Sequence, residues 1–178
     1  MSRDAVEVST VVYLPPEDVY EFLIDFPRYA RYSKHLTEVR QHGGGGPGTE
    51  YDLTFEWWKL RYTARSRVDA VDPPDRIDWL IVKDIDAAGH WTVEEVPEEA
   101  PPDRETASRV GLRVDFRPET ANSNALNLPV FVSLSWVIEK VKPRIQAEAE
   151  RVVRRIVADL EGESRDVHLE IRSSPDVV

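Results

Sequence analysis

SLSWVIEKVKPRIQAEAERVVRRIVADLE, residues 133–161, is a long amphipathic stretch from which the rest of the chain can be interpreted. Apolar side chains recur in it every three or four residues, which places them along one side of an α-helix with about 3.6 residues per turn. Charged residues occupy most of the positions between them and suit a solvated face. The apolar stripe consists of Val137, Val141, Ile145, Ala149, Val152, Val153, Ile156 and Leu160.

Two residues define the expected limits of this helix. Gly162 follows the last apolar position, and glycine readily adopts the left-handed conformation that ends a helix. Pro143 lies inside the pattern, where proline removes one backbone hydrogen bond at a cost of about 3 kcal/mol. We therefore expect either a kink at Pro143, or a short helix ending at Lys142 and a longer one beginning at Pro143.

Most of the preceding sequence alternates between apolar and polar residues, as half-buried strands do. The pattern predicts a first strand over 5–13, two short helices within 17–35, and six further strands. A hairpin turn is expected near Trp58 and Lys59, a turn over 84–89 and an exposed loop over 97–106. The predicted strands after the short helices are 37–42, 51–57, 58–70, 77–81, 90–96 and 110–116.

This order of elements predicts an α+β domain. Successive antiparallel strands followed by one long helix are expected to form a curved sheet whose apolar face covers the stripe of the helix. We assign residues 1–162 to this domain. Residues 163–178 form a C-terminal extension, either an added edge strand, because Val167, Leu169 and Ile171 alternate with polar residues, or a disordered tail.

Composition limits the functions that the chain can have. The formal net charge of −10 disfavours nucleic-acid binding, which relies on basic surface to neutralise phosphate. The chain has no cysteine, which excludes disulfides and thiolate catalysis, and no apolar run long enough to span a membrane. Its charged N-terminus does not resemble a signal peptide, so we expect a cytoplasmic location.

Several local sequences resemble one known superfamily. They are PEDVYEFL at 16–23, DFPRY at 25–29, PDRIDW at 74–79 and GHWTV at 89–93, together with the terminal helix. With this order of elements they resemble the START-like (SRPBCC) superfamily, and within it the polyketide cyclase/dehydrase and coenzyme-Q-binding group. The resemblance implies a helix-grip fold, in which a curved antiparallel sheet wraps around a long C-terminal helix. Members bind lipids, quinones, polyketides or hormones, and a few are enzymes.

The resemblance places a ligand cavity between the sheet and the C-terminal helix. Aromatic side chains suit such a pocket, although they also serve as ordinary core residues in sheets. Our first hypothesis is a binding protein that holds a hydrophobic small molecule, such as a lipid, an isoprenoid quinone or a polyketide-like compound. The expected lining residues are Tyr51, Phe55, Trp57, Tyr62, Trp79, His90, Trp91, Val137 and Val141.

The second hypothesis is an enzyme of the polyketide aromatase/cyclase type, with His90, Tyr62 and Arg113 as polar members of the cavity. We assign no catalytic residue, since the sequence has no Gly-x-Ser-x-Gly elbow, and whether the protein is an enzyme stays open. The four histidines lack metal-ligand spacing, so neither a metal nor another cofactor is expected. A third hypothesis is a ribosome-associating module. The oligomeric state does not follow from the sequence.

Overall fold

One antiparallel sheet and one long helix dominate the structure. The computed structural model describes residues 4–57, 59–117, 120 and 134–174, with the side chains of 134–146 and 173–174 left out. Within these residues the strands are β1 (Asp4–Val12), β2 (Leu36–His42), β3 (Glu50–Trp57), β4 (Leu60–Asp72), β5 (Arg76–Ile81), β6 (Asp86–Glu95), β7 (Ser108–Arg117) and β8 (Glu170–Ser174). The helices are α1 (Pro16–Ile24), α2 (Leu134–Glu161) and two 3-10 helices, Phe26–Arg31 and Pro97–Glu99.

The eight described strands form a single curved sheet in the order β2-β3-β4-β5-β6-β7-β1-β8. All neighbouring pairs are antiparallel. The predicted α+β class and the helix-grip arrangement, with a curved sheet and a C-terminal helix, are confirmed. The extension after Gly162 contributes β8, whose Ile171 pairs with Val8 of β1.

The two faces of the sheet follow from strand register. Side chains alternate between faces along a strand, and residues directly opposite each other in neighbouring strands share a face. Tyr51, Val68 and Ile77 belong to a core cluster that also contains Phe22 of α1 and Val157 of α2. We call the face that carries these residues the inner face, because it is directed at the helices. The opposite face is the outer face.

Helix α2 is continuous from Leu134 to Glu161, so the alternative of two helices divided at Pro143 is wrong. The lost backbone hydrogen bond does not end the helix, since packing of an apolar stripe stabilises helices in proteins more than local propensity does. The predicted end is confirmed. Gly162 has a φ of 84°, and its N–H donates to the carbonyl oxygen of Ala158 over 3.0 Å.

Strand β6 begins at Asp86, four residues before the predicted start, so the expected turn over 84–89 is wrong for its last four residues. Gly89 is the cause. It pairs with Trp79 of β5, and a Cβ atom on Gly89 would lie only 2.5 Å from the Trp79 ring atom Cζ2. The glycine therefore makes room for an aromatic ring within the sheet instead of forming a turn.

Candidate functional site

The inner face has a closed end and an open end. The closed end comprises residues that are less than one-tenth exposed, namely Val12, Tyr51, Val68, Ile77, Val93 and Val110. Helix α1, the first 3-10 helix and Val157 of α2 cover it. The closed end is ordinary protein core.

The open end lies where β3, β5 and β7 finish and where β4, β6 and β1 begin. Most of its side chains are only half-buried, and Phe55 is 43% exposed. Leu60 and Ala87 are the buried members. The half-buried or exposed residues of the open end are Leu53, Phe55, Trp57, Tyr62, Ala64, Ile81, Val114 and Phe116.

Pairing between β3 and β4 holds the aromatic side chains of the open end together. Phe55 lies opposite Tyr62, and Trp57 lies opposite Leu60 at the hairpin turn. Trp79 of β5 lies opposite Val68 and therefore shares the same face. Because these are side chains of regular strands, the fold itself sets their separation and direction.

Three of the predicted lining residues therefore come together at the open end, namely Phe55, Trp57 and Tyr62. Trp79 shares the inner face but lies opposite Val68 of the closed end. Trp91 shares the inner face but contacts the core, with its ring centroid 6.4 Å from that of Tyr29. The predictions for Val137 and Val141 fall on side chains outside the described ones.

Tyr51 lies at the closed end and is fully buried. Its ring meets Phe26 edge-on, with centroids 4.7 Å apart. Its hydroxyl group has no hydrogen-bond partner among the described residues. Burial, together with the negative charge of Asp25, raises the pKa of Tyr51, so the phenol stays neutral.

His90 corrects the prediction. It precedes Trp91 directly in β6, and neighbouring residues of a strand point to opposite faces. His90 lies opposite Arg113 on the outer face, where both line a groove together with Glu7. Thus neither His90 nor Arg113 shares the inner face with Tyr62, and the three polar residues of the enzyme hypothesis are not one constellation.

The outer groove carries no excess of either charge. Arg113 contacts Glu7 at 2.7 Å and Asp115 at 3.1 Å, so its charge is already compensated. Burial, and next to it the positive charge of Arg76, lower the pKa of His90, which keeps the imidazole neutral at physiological pH. We find no feature of this groove that selects a ligand.

Sequence reasoning missed a polar pair at the open end. The Tyr62 hydroxyl donates a hydrogen bond of 2.9 Å to Oδ2 of Asp84, in the turn between β5 and β6. Burial and this carboxylate raise the pKa of Tyr62 well above its usual range. Asp84 has a φ of 71°, which is uncommon for residues other than glycine. Its place in a turn gave no signal that it would contact an inner-face side chain.

Among the described residues, no group of three or more histidine and acidic side chains is arranged to hold a metal ion. No described helix is long and apolar enough to cross a membrane. The predicted cytoplasmic location stays a prediction.

The sheet, the long helix and the aromatic inner face define a helix-grip protein of the START-like superfamily. The family model described as "Polyketide cyclase / dehydrase and lipid transport" matches residues 3–157, so the chain belongs to that family. The resemblance inferred from sequence is thereby confirmed. A comparison with curated proteins gives no match.

Solved structures agree on the fold. Zhui aromatase/cyclase from Streptomyces sp. R1128 is 18% identical, with a TM-score of 0.65 over 90% of this chain and 94% of that one. The di-domain aromatase/cyclase StfQ of the steffimycin biosynthetic pathway is 18% identical, with a TM-score of 0.58 over 89% of this chain and 51% of that one. Ara h 8.0201 is 16% identical, with a TM-score of 0.56 over 91% and 100%. At these identities the likeness concerns the fold alone.

Proposed function

We propose that this protein binds a hydrophobic small molecule between the open end of the inner face and α2. The observation that carries the proposal is the half-buried aromatic surface on a face that is otherwise core. Phe55, at 43% exposed, shares that face with Tyr51, which is fully buried four residues earlier in the same strand. Large apolar side chains that line a concave face with few polar groups are typical of small-molecule sites.

Apolar burial would supply most of the affinity. Covering aromatic surface contributes about 25 cal/mol per Å² before the costs of ordering the ligand are subtracted. The family to which the chain belongs supports this interpretation, because its description joins polyketide cyclases with lipid transport. The polar groups at the site would select the ligand within this hydrophobic class.

Native mass spectrometry of gently purified protein tests the proposal, followed by denaturation and analysis of the released lipids and other small molecules. Two variants serve as a matched pair. Ala64→Phe adds a ring to the inner face opposite Leu53, whereas Ala88→Phe adds the same ring to the outer face opposite Leu80. Both alanines are half-buried in regular strands.

We expect a stoichiometric hydrophobic adduct on the wild type and on Ala88→Phe, and its loss from Ala64→Phe. Equal retention by both variants would show that the ligand does not occupy the inner face. If the wild type carries no adduct and binds no hydrophobic fluorescent probe saturably, the proposal is wrong.

An aromatase/cyclase activity is the second candidate, favoured by the likeness of the fold to two aromatase/cyclases. Of the three polar residues considered from sequence, only Tyr62 faces the proposed ligand. Its raised pKa makes it a poor general acid at neutral pH, since efficient proton transfer needs a pKa near the working pH. The test is the product distribution from a reactive poly-β-ketone with and without the protein, and an unchanged distribution would dismiss this activity. No described residue favours ribosome association.

A further inference from the structure

Tyr62 and Asp84 form the polar pair at the open end. This pair can accept hydrogen bonds from a ligand, but it has no proton to donate to one. The proton of the Tyr62 hydroxyl is directed at Asp84 Oδ2, 2.9 Å away. The phenol oxygen keeps its lone pairs, and a carboxylate has acceptor sites only. A ligand carbonyl would have to displace Asp84 to receive the Tyr62 proton, which exchanges a charge-assisted bond for a weaker neutral one.

The Asp84 carboxylate can accept a further hydrogen bond. Tyr62 and Lys83 both approach through Oδ2, with Lys83 Nζ at 3.9 Å. Within the described part of the chain, Oδ1 makes no hydrogen bond. The Asp84 side chain is 20% exposed, so the carboxylate is accessible to a hydrogen-bond donor on a ligand.

The backbone fixes the position of this carboxylate. Asp84 occupies the left-handed region at φ 71°, which aspartate tolerates better than most residues do. Its neighbour β5 pairs with β4 as far as Ile81, and Val82 N–H continues the contact to the carbonyl oxygen of Arg65 over 2.9 Å. The turn therefore brings Asp84 towards the start of β4, beside Tyr62, where the aromatic surface is half-buried.

Lys83 carries a positive charge next to Asp84 that would favour an acidic ligand. Its side chain is 46% exposed and its ammonium lies beside the Asp84 carboxylate. Its charge is thus solvated and already faces an opposite charge. A ligand carboxylate at the same place would meet Asp84 at close range, and two like charges repel there.

We propose that the open end selects hydrophobic molecules that carry a hydroxyl group, phenolic or alcoholic, and that this hydroxyl donates to Asp84. The inference rests on the proposed binding function and adds the polar chemistry of the ligand. Ethers of the same shape lack the donor, and carboxylates of the same shape add a repelling charge. Both classes bind more weakly than the hydroxyl compound.

A series of three bicyclic probes tests the inference by isothermal titration at neutral pH. 2-Naphthol carries the donor, 2-methoxynaphthalene lacks it, and 2-naphthoate carries the negative charge. For the wild type we expect 2-naphthol to bind about ten-fold or more tightly than the ether, since a hydrogen bond to a charged acceptor is among the stronger ones. 2-Naphthoate should be the weakest of the three.

Three variants test which side chain produces the preference for the hydroxyl group. Asp84→Asn, which also tolerates positive φ, should reduce the preference for 2-naphthol over the ether to about three-fold or less. Tyr62→Phe removes the internal donor and should keep the preference, as should Lys83→Gln. Thermal unfolding of each variant shows whether it is folded.

The possible outcomes distinguish the proposed binding function from the preference for a hydroxyl group. Saturable binding of all three probes with equal affinity, or tightest binding of 2-naphthoate, would overturn the hydroxyl preference and leave the binding function intact. A preference that survives in Asp84→Asn would overturn the role of Asp84. No saturable binding of any probe would contradict the proposed function and this inference with it.

Discussion

Replacing Glu161 by alanine should unfold this protein at markedly lower denaturant concentration. The Glu161 side chain has no exposed surface and ends α2. Its Oε1 accepts from Arg165 Nε at 2.8 Å, and its Oε2 accepts from Arg165 Nη2 at 2.9 Å and from the Tyr13 backbone N–H at 2.8 Å. One carboxylate thereby joins the end of α2, the end of β1 and the segment that leads to β8.

Arg165 would be left without its charge partner in the variant. Its guanidinium carbon lies 3.8 Å from the centroid of the Tyr13 ring, and Nη2 also donates to the Val11 carbonyl at 2.8 Å. These contacts hold the arginine in place at 20% exposure when Glu161 is gone. Removing one partner of a buried ion pair costs about 3–5 kcal/mol, because an uncompensated charge stays behind.

Urea denaturation at neutral pH measures this cost. A loss of this size in a domain of this length corresponds to a fall in melting temperature of roughly 6–20 °C. The double variant Glu161→Ala/Arg165→Ala should lose less than the sum of the two single variants, since it leaves no orphan charge. Arg40→Ala, which breaks an exposed pair with Glu38, is the control and should cost at most about 0.5 kcal/mol. A cost for Glu161→Ala as small as that of the control would refute the reasoning.

Two further predictions concern the sheet. Gly89→Ala should destabilise the protein by about 2 kcal/mol or more, because the new Cβ atom would overlap the Trp79 ring and force the ring to move. Gly44→Ala is the control. Its Cβ atom would have nothing within 4 Å, so stability should change by less than about 0.5 kcal/mol. Thermal unfolding and tryptophan fluorescence would show both effects. Hydrogen bonds from Arg65 hold the pKa of Asp52 at about 2, so its contribution to stability is fully present above about pH 4 and disappears as the pH falls towards 2. Urea unfolding between pH 5 and pH 2 should therefore show a weaker pH dependence in Asp52→Asn than in the wild type, and an identical dependence would contradict the role of that pair.

The fold was predictable because two periodic patterns dominate the sequence. The stripe of α2 recurs every three or four residues, and the alternation in β3 and β4 identifies the hairpin with its turn between Trp57 and Leu60. Family resemblance then supplied the arrangement of the sheet around the helix. The predicted start of β6 is wrong because glycine occurs both in turns and at close contacts within a sheet. Gly89 is of the second kind.

The site was predictable only for residues whose face follows from alternation. Phe55, Trp57 and Tyr62 lie on one face because their spacing and register require it. The prediction for His90 is wrong by the same rule, because His90 is adjacent to Trp91 and points to the opposite face. Asp84 carried no such signal, because the path of a turn depends on how the flanking strands pair and not on local sequence.

The unequal burial of the inner face is the main support for the proposed binding site. Aromatic side chains offer more apolar area than valine or isoleucine, so leaving them partly exposed forgoes more stabilisation by burial. Here the valines at the closed end are buried, and the aromatic rings at the open end are not. The sheet thus retains apolar area that packing within the described residues does not cover, beside a carboxylate that still has an acceptor site. A hydroxylated hydrophobic ligand satisfies both features together, whereas rearranging core side chains would satisfy only the first.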